Sequence, residues 1–126
     1  MIEKRQFYIN GAWTNPLDGQ DHDVINPTTE APCAVISLGG QADTDAAVNA
    51  AKTALPAWMD TPVATRIALV EKLLDIYLTR VEDLAQATSM EMGAPIDMAR
   101  GSQVGAGSGH LKNFIRAAKS FQFDHA

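Results

Sequence analysis

The chain is expected to fold as a mixed α and β protein, with short antiparallel β-hairpins up to about residue 40 and four or five α-helices after it. Three observations carry this expectation. Asn10-Gly11 sits between two short apolar runs, and both residue types tolerate the positive φ that a two-residue hairpin turn demands. Beyond Gly39-Gly40 the apolar spacing changes from strand-like to the 3.6-residue period of amphipathic helices. And no stretch shows the repeated strand, glycine-rich turn and helix of a complete nucleotide-binding sheet.

In order, Gln6 to Ile9 and Ala12 to Thr14 form the first hairpin, and Asn15-Pro16-Leu17-Asp18-Gly19 is a second turn. Asp21 to Ile25 and Cys33 to Leu38 pair more loosely across Asn26-Pro27-Thr28-Thr29-Glu30, where Pro27 has no N–H for a ladder. Asp43 is suited to cap a helix running to about Leu55, and Pro56 is expected to break or kink it. Thr61-Pro62 reads as a cap followed by proline at the first helical position. The helix it opens carries Val63, Ile67, Val70, Leu74 and Tyr77 on one stripe, widened by Leu69, Leu73 and Ile76. So broad an apolar face implies packing on two sides. Thr79 and Glu82 match a capping box, so a new helix is expected there, ending at Gly93. Pro95 opens a last helical stretch whose later part presents Leu111, Phe114, Ile115, Ala118 and Phe121.

Composition narrows the function classes. The 126 residues suffice for one domain. Ten basic against fifteen acidic side chains leave a formal charge of −5. A net-acidic surface gains nothing from a polyanion, so neither nucleic acid nor an anionic membrane is expected as a partner. A single cysteine permits no internal disulfide. No secretory h-region and no bilayer-length apolar run are visible, so a cytoplasmic protein is expected.

Four motifs in order carry a resemblance. They are the hairpin YINGAW (Tyr8 to Trp13) and the run from Val24-Ile25-Asn26-Pro27 through Ala57-Trp58. Then come the stretch from Thr65-Arg66 through Leu84-Ala85 and its close at Glu91-Met92-Gly93-Ala94-Pro95. Their order and spacing, from about Phe7 to Phe121, resemble the N-terminal segment of the aldehyde dehydrogenase superfamily. The lysine usual before the proline is Ala94 here, which marks a subfamily. The resemblance implies an α/β parent in which residues 1–126 are the N-terminal part of the cofactor-binding domain, with residues 1–40 as hairpins and 41–126 helical. It also implies that the nucleophilic cysteine, the oxyanion-hole asparagine, the glutamate base and the glycine-containing cofactor turn belong to later parts of the family's chain. No catalytic and no cofactor-binding residue is therefore assigned here, and no turnover is expected from these residues alone. The parent would oxidise an aldehyde with NAD or NADP as a homo-oligomer, with this segment as scaffold. The alternative is a stand-alone structural module that docks onto a full-length relative.

Cys33 lies in an apolar strand with no His or Glu placed to activate a thiolate, and reads as a packed small hydrophobe. Glu91 sits near a helix C-terminus, where the dipole disfavours an anion. The resemblance implies that it could share a monovalent cation with the backbone carbonyls of Val24 and Ile25, against the plainer reading of a solvated or paired glutamate. Gly101, Gly105 and Gly109 recur every fourth residue, with Ser102, Ala106, Gly107 and Ser108 between them. Each glycine costs about 1 kcal/mol relative to alanine inside a helix. Close packing of another helix is one reason for them. The resemblance supplies a second, in which Ser102, Gly105, Ala106 and Gly109 line the parent's substrate tunnel. His22, His110 and His125 are too scattered for a metal pattern, and Glu71 with Asp75 reads as a solvated face.

Overall fold

The computed structural model describes residues 1–123, and His125 lies outside the described residues. The chain forms two compact units, Met1–Asp60 and the part from Thr61 onward.

In the first unit, β2 (Phe7–Ile9) and β3 (Ala12–Thr14) make the expected hairpin. Its turn places Asn10 at φ 52° and Gly11 at φ 78°, the two positive angles for which these residues are suited. The longer pair is β4 (Gln20–Asn26) with β5 (Ala31–Leu38), antiparallel with a register shift at Val24/Ile25. Their connection is an Asx-type turn. The Asn26 side chain accepts from Thr28 N–H at 2.9 Å and its carbonyl accepts from Glu30 N–H at 2.8 Å, with Glu30 at φ 56°. An additional strand, β1 (Ile2–Lys4), runs parallel to β5 and gives a three-stranded sheet of order β1-β5-β4. The sequence reading contained antiparallel pairs only. Ile2, Glu3 and Lys4 are all exposed and show no inward-outward alternation, so only the edge offered by β5 defines them as a strand.

Helix α1 (Gln41–Met59) closes this unit. Gly40, not Asp43, occupies the cap position, and Asp43 works from the third helical residue. Its carboxylate accepts from Gly40 N–H at 3.0 Å and from Leu17 N–H at 2.8 Å. One buried side chain, 5 % exposed, thus fastens the 15–19 turn to the helix start. Those backbone donors, Leu17 first, hold the Asp43 carboxyl below the ordinary carboxylate range. Pro56 does not end the helix as expected. It lies inside it, and the chain continues to Met59 with Asp60 N–H donating to the Pro56 carbonyl at 3.1 Å. Proline has no N–H for the carbonyl four residues earlier, and its ring crowds that carbonyl.

The second unit begins with α2 (Val63–Thr79), for which Pro62 itself occupies the cap position at φ −53°, ψ 140°. Val63, Ile67, Val70, Leu74 and Tyr77 are all half-buried, as their spacing requires. Leu69, Leu73 and Ile76 remain about half exposed at 49, 51 and 52 %. Glu71, read as solvated, is paired with Lys119 at 2.7 Å.

Helix α3 (Val81–Met92) begins where a helix was expected, but the Thr79–Glu82 capping box does not form. Thr79 instead donates to the Ile76 carbonyl at 2.7 Å, Arg80 takes the cap position, and Glu82 is drawn to Arg100. Gly93 ends α3 at φ 75°, the left-handed geometry that glycine adopts without penalty.

After Pro95 the chain stays helical to Ala118 in three parts: α4 (Ile96–Met98), a π-helical turn (Ala99–Gln103) and α5 (Val104–Ala118). The core of this unit is a small-residue cluster of Ala85, Ala94, Ala99 and Val104, with Tyr77, Val81 and Ile96 against it. Of the stripe expected on α5, Ile115 is buried and Leu111 and Ala118 are half-buried. Phe114 is 70 % exposed and Phe121 60 % exposed, so both lie off the packed face. No described helix is long and apolar enough to cross a membrane.

Candidate functional site

The chemistry-bearing residues divide between the units. In the first, Val24 and Ile25 lie on β4 at the register shift. The Val24 carbonyl accepts from the Cys33 thiol at 3.3 Å, so the half-buried Cys33 is engaged with its neighbouring strand. His22 is exposed on β4 opposite Ile36. In the second unit, Glu91 is exposed on the last turn of α3. Among the described residues no group of three or more His, Cys, Asp or Glu side chains could hold a metal.

Residues 99–109 form the most defined arrangement. Buried positions on a straight α-helix recur every three or four residues, yet the buried residues here step from Ala99, wholly buried, to Val104, 4 % exposed. A five-residue step on an α-helix would carry Val104 about 140° away from Ala99. The π turn removes that mismatch, for Val104 N–H donates to the Ala99 carbonyl, the i→i+5 bond that defines it. Both residues then reach the same cluster.

Two side-chain contacts to other helices hold this turn. Tyr77 of α2 donates its hydroxyl to the Val104 carbonyl at 2.8 Å. Arg100 binds Glu82 of α3 through two nitrogens, at 2.8 and 3.1 Å, and Asp97 at 2.9 Å. The paired guanidinium, chiefly, with Gln86 assisting, lowers the Glu82 carboxyl to about 2.

The four glycines do not share one role. A Cβ on Gly107 would overlap the Tyr77 hydroxyl and stand 2.8 Å from the Tyr77 Cζ. Among the described residues outside their own helix backbone, nothing lies within 4 Å of a Cβ position on Gly101, Gly105 or Gly109. Helix packing therefore explains Gly107, the glycine outside the every-fourth-residue series, and accounts for none of the other three. Ser102 and Ala106 are exposed beside them, and Ser108 donates to the Gly105 carbonyl at 3.0 Å. His110 is exposed further along α5. Sequence reasoning missed Tyr77, Arg100 and Gly107 as a group, although the 99-to-104 step is a trace of the turn they hold.

A three-stranded sheet and hairpin with one helix, then a helical unit with a π turn, define a mixed α/β segment of the aldehyde dehydrogenase fold. Residues 13–126 match the aldehyde dehydrogenase family, and the chain belongs to that family. It is 52 % identical to an aldehyde dehydrogenase of Bartonella henselae of known structure, with a TM-score of 0.96 over 100 % of this chain and 26 % of that one. It is 35 % identical to aldehyde dehydrogenase C of Pseudomonas syringae, solved with NAD+ and octanal, with a TM-score of 0.93 over 97 % of this chain and 25 % of that one. A 3-succinoylsemialdehyde-pyridine dehydrogenase of a Pseudomonas species is 34 % identical over 100 % of this chain and 27 % of its own length. The chain thus spans about a quarter of the relatives it matches, and that quarter is their N-terminal part.

Proposed function

We propose that this segment serves a complete NAD(P)-dependent aldehyde dehydrogenase, which oxidises an aldehyde to a carboxylic acid, and that it contributes scaffold and one wall of the substrate path. The observation that carries this reading is the match of the whole chain, at 0.96, to the N-terminal quarter of an aldehyde dehydrogenase. NAD+ is bound by the Pseudomonas syringae relative, which supports a nicotinamide cofactor for the complete enzyme. The residues assigned to the substrate path are Ser102, Gly105, Ala106 and Gly109. The lack of bulky side chains at Ser102, Gly105, Ala106 and Gly109 supports them, and an extended aldehyde such as the relative's octanal is the substrate class that suits a wall without side chains. We also infer that the backbone carbonyls of Val24 and Ile25 serve a monovalent cation. The register shift on β4 supports this, because a bulge leaves backbone groups outside the ladder. A homo-oligomeric, cytoplasmic enzyme completes the proposal.

The test is to compare the 126-residue chain with the complete dehydrogenase that carries it, following NADH formation with octanal. Turnover is expected from the complete enzyme and none from the chain. Turnover by the chain alone, or none by the folded complete enzyme with any aldehyde, overturns the reading.

A further inference from the structure

We propose that Tyr77 and Arg100 are positioning residues that hold the Ala99–Gln103 π turn, and through it set which face of α5 the substrate meets. This rests on the assignment of the small-residue face to the substrate path.

A π turn is one residue longer than the α-helical turn it replaces, and such turns are rare and frequent at functional sites. Here the groups outside the turn are Tyr77 of α2 and Glu82 of α3. Tyr77 reaches 27 residues along the chain to the Val104 carbonyl, at the first residue after the turn. Arg100, inside the turn, reaches 18 residues back to Glu82 with a two-nitrogen grip. Neither bond is repeated by the helix itself, so both report on the π geometry.

The consequence for α5 is rotational. If the turn relaxed to α-helix with every residue retained, everything after it would advance by about 100° relative to Ala99. Val104, Leu111 and Ile115 would leave the packed side, and Gly105 and Gly109 would turn with them. Gly107 permits the arrangement, since any larger residue displaces the Tyr77 ring from its bond. The exposed small face is therefore aimed by contacts on the opposite, buried side of the helix, made by residues that need not touch substrate.

The test uses the complete dehydrogenase with Tyr77→Phe, which removes only the hydroxyl, Glu82→Gln, which weakens the grip on Arg100, and Gly105→Leu, which obstructs the proposed path directly. The readout is the ratio of kcat/KM for octanal to that for propanal, together with KM for NAD+. Tyr77→Phe is expected to lower the ratio by about tenfold, expressed in the octanal KM, with KM for NAD+ unchanged, because small misplacements of a binding surface have effects of this order. Glu82→Gln is expected to act in the same direction, and it keeps the test open should the tyrosine variant fail to fold. If Gly105→Leu lowers the ratio while both tether variants leave it unchanged, the positioning role is overturned and the path assignment stands. If Gly105→Leu leaves the ratio unchanged, the path assignment fails and the positioning role falls with it.

Discussion

Replacing Gly107 with alanine separates packing from helix propensity at a single position. Inside α5 alanine is favoured over glycine by about 1 kcal/mol. At Gly107 the added methyl meets the Tyr77 ring, 2.8 Å from Cζ and 3.3 Å from Cε2, as well as the hydroxyl. The ring is held by its bond to the Val104 carbonyl, so relief requires it to swing away. That removes a hydrogen bond worth about 1 kcal/mol net and adds an overpacking cost of about 1–3 kcal/mol. After the propensity gain is set against these costs, Gly107→Ala should destabilise by about 1–3 kcal/mol. Gly109→Ala, two residues away with nothing within 4 Å, should stabilise by up to about 1 kcal/mol.

Urea unfolding followed by circular dichroism reads both variants, and midpoints about 1 M apart are expected for slopes typical of small proteins. Tyr77→Ala supplies the control. In that background Gly107→Ala should become stabilising, because contacting residues are not additive. Equal stability of the Gly107 and Gly109 variants, or a Gly107→Ala cost that survives removal of the ring, would refute the packing argument.

Two further perturbations test the remaining local assignments. Pro56→Ala should stabilise α1 by about 1–2 kcal/mol, since the restored backbone bond outweighs the added entropy of the unfolded chain; an unchanged unfolding midpoint would count against an uninterrupted helix there. Glu82 has a folded-state value of about 2 against an ordinary 4.5, so its contribution is fully present above the ordinary value and is lost as pH falls from about 4.5 through about 2. Glu82→Gln should therefore flatten the acid limb of the stability profile and leave its neutral-pH shape alone, and an acid limb identical to that of the parent would sink the assignment.

What the sequence disclosed follows from the range of the interactions involved. The Asn10-Gly11 hairpin and the Gly93 helix end were legible because each depends on the φ preference of a residue in place, whatever its surroundings. The α2 stripe was legible because burial repeats with the helix period. The Thr79–Glu82 capping box failed for the opposite reason, in that Glu82 had a stronger partner in Arg100, eighteen residues later. A two-nitrogen bond with both partners charged outcompetes a single carboxylate bond to a backbone N–H, and a local pattern contains no sign of it. The family was legible in the order of its motifs, while the site was legible only in part.

The glycines show where that limit lies. Regular spacing drew attention to Gly101, Gly105 and Gly109, and the expectation of close helix packing attached to them. Packing in fact claims Gly107, because contact depends on which side of a helix faces Tyr77, and the π turn alters that side. Gly101, Gly105 and Gly109, with no packing reason among the described residues, still carry the propensity cost. Under the proposed substrate path, a wall that must stay free of side chains would give them a reason, and it makes a demand that packing does not. Alanine at Gly109 should be welcome to the fold, while leucine at Gly105 should be tolerated by the fold and resisted by the substrate.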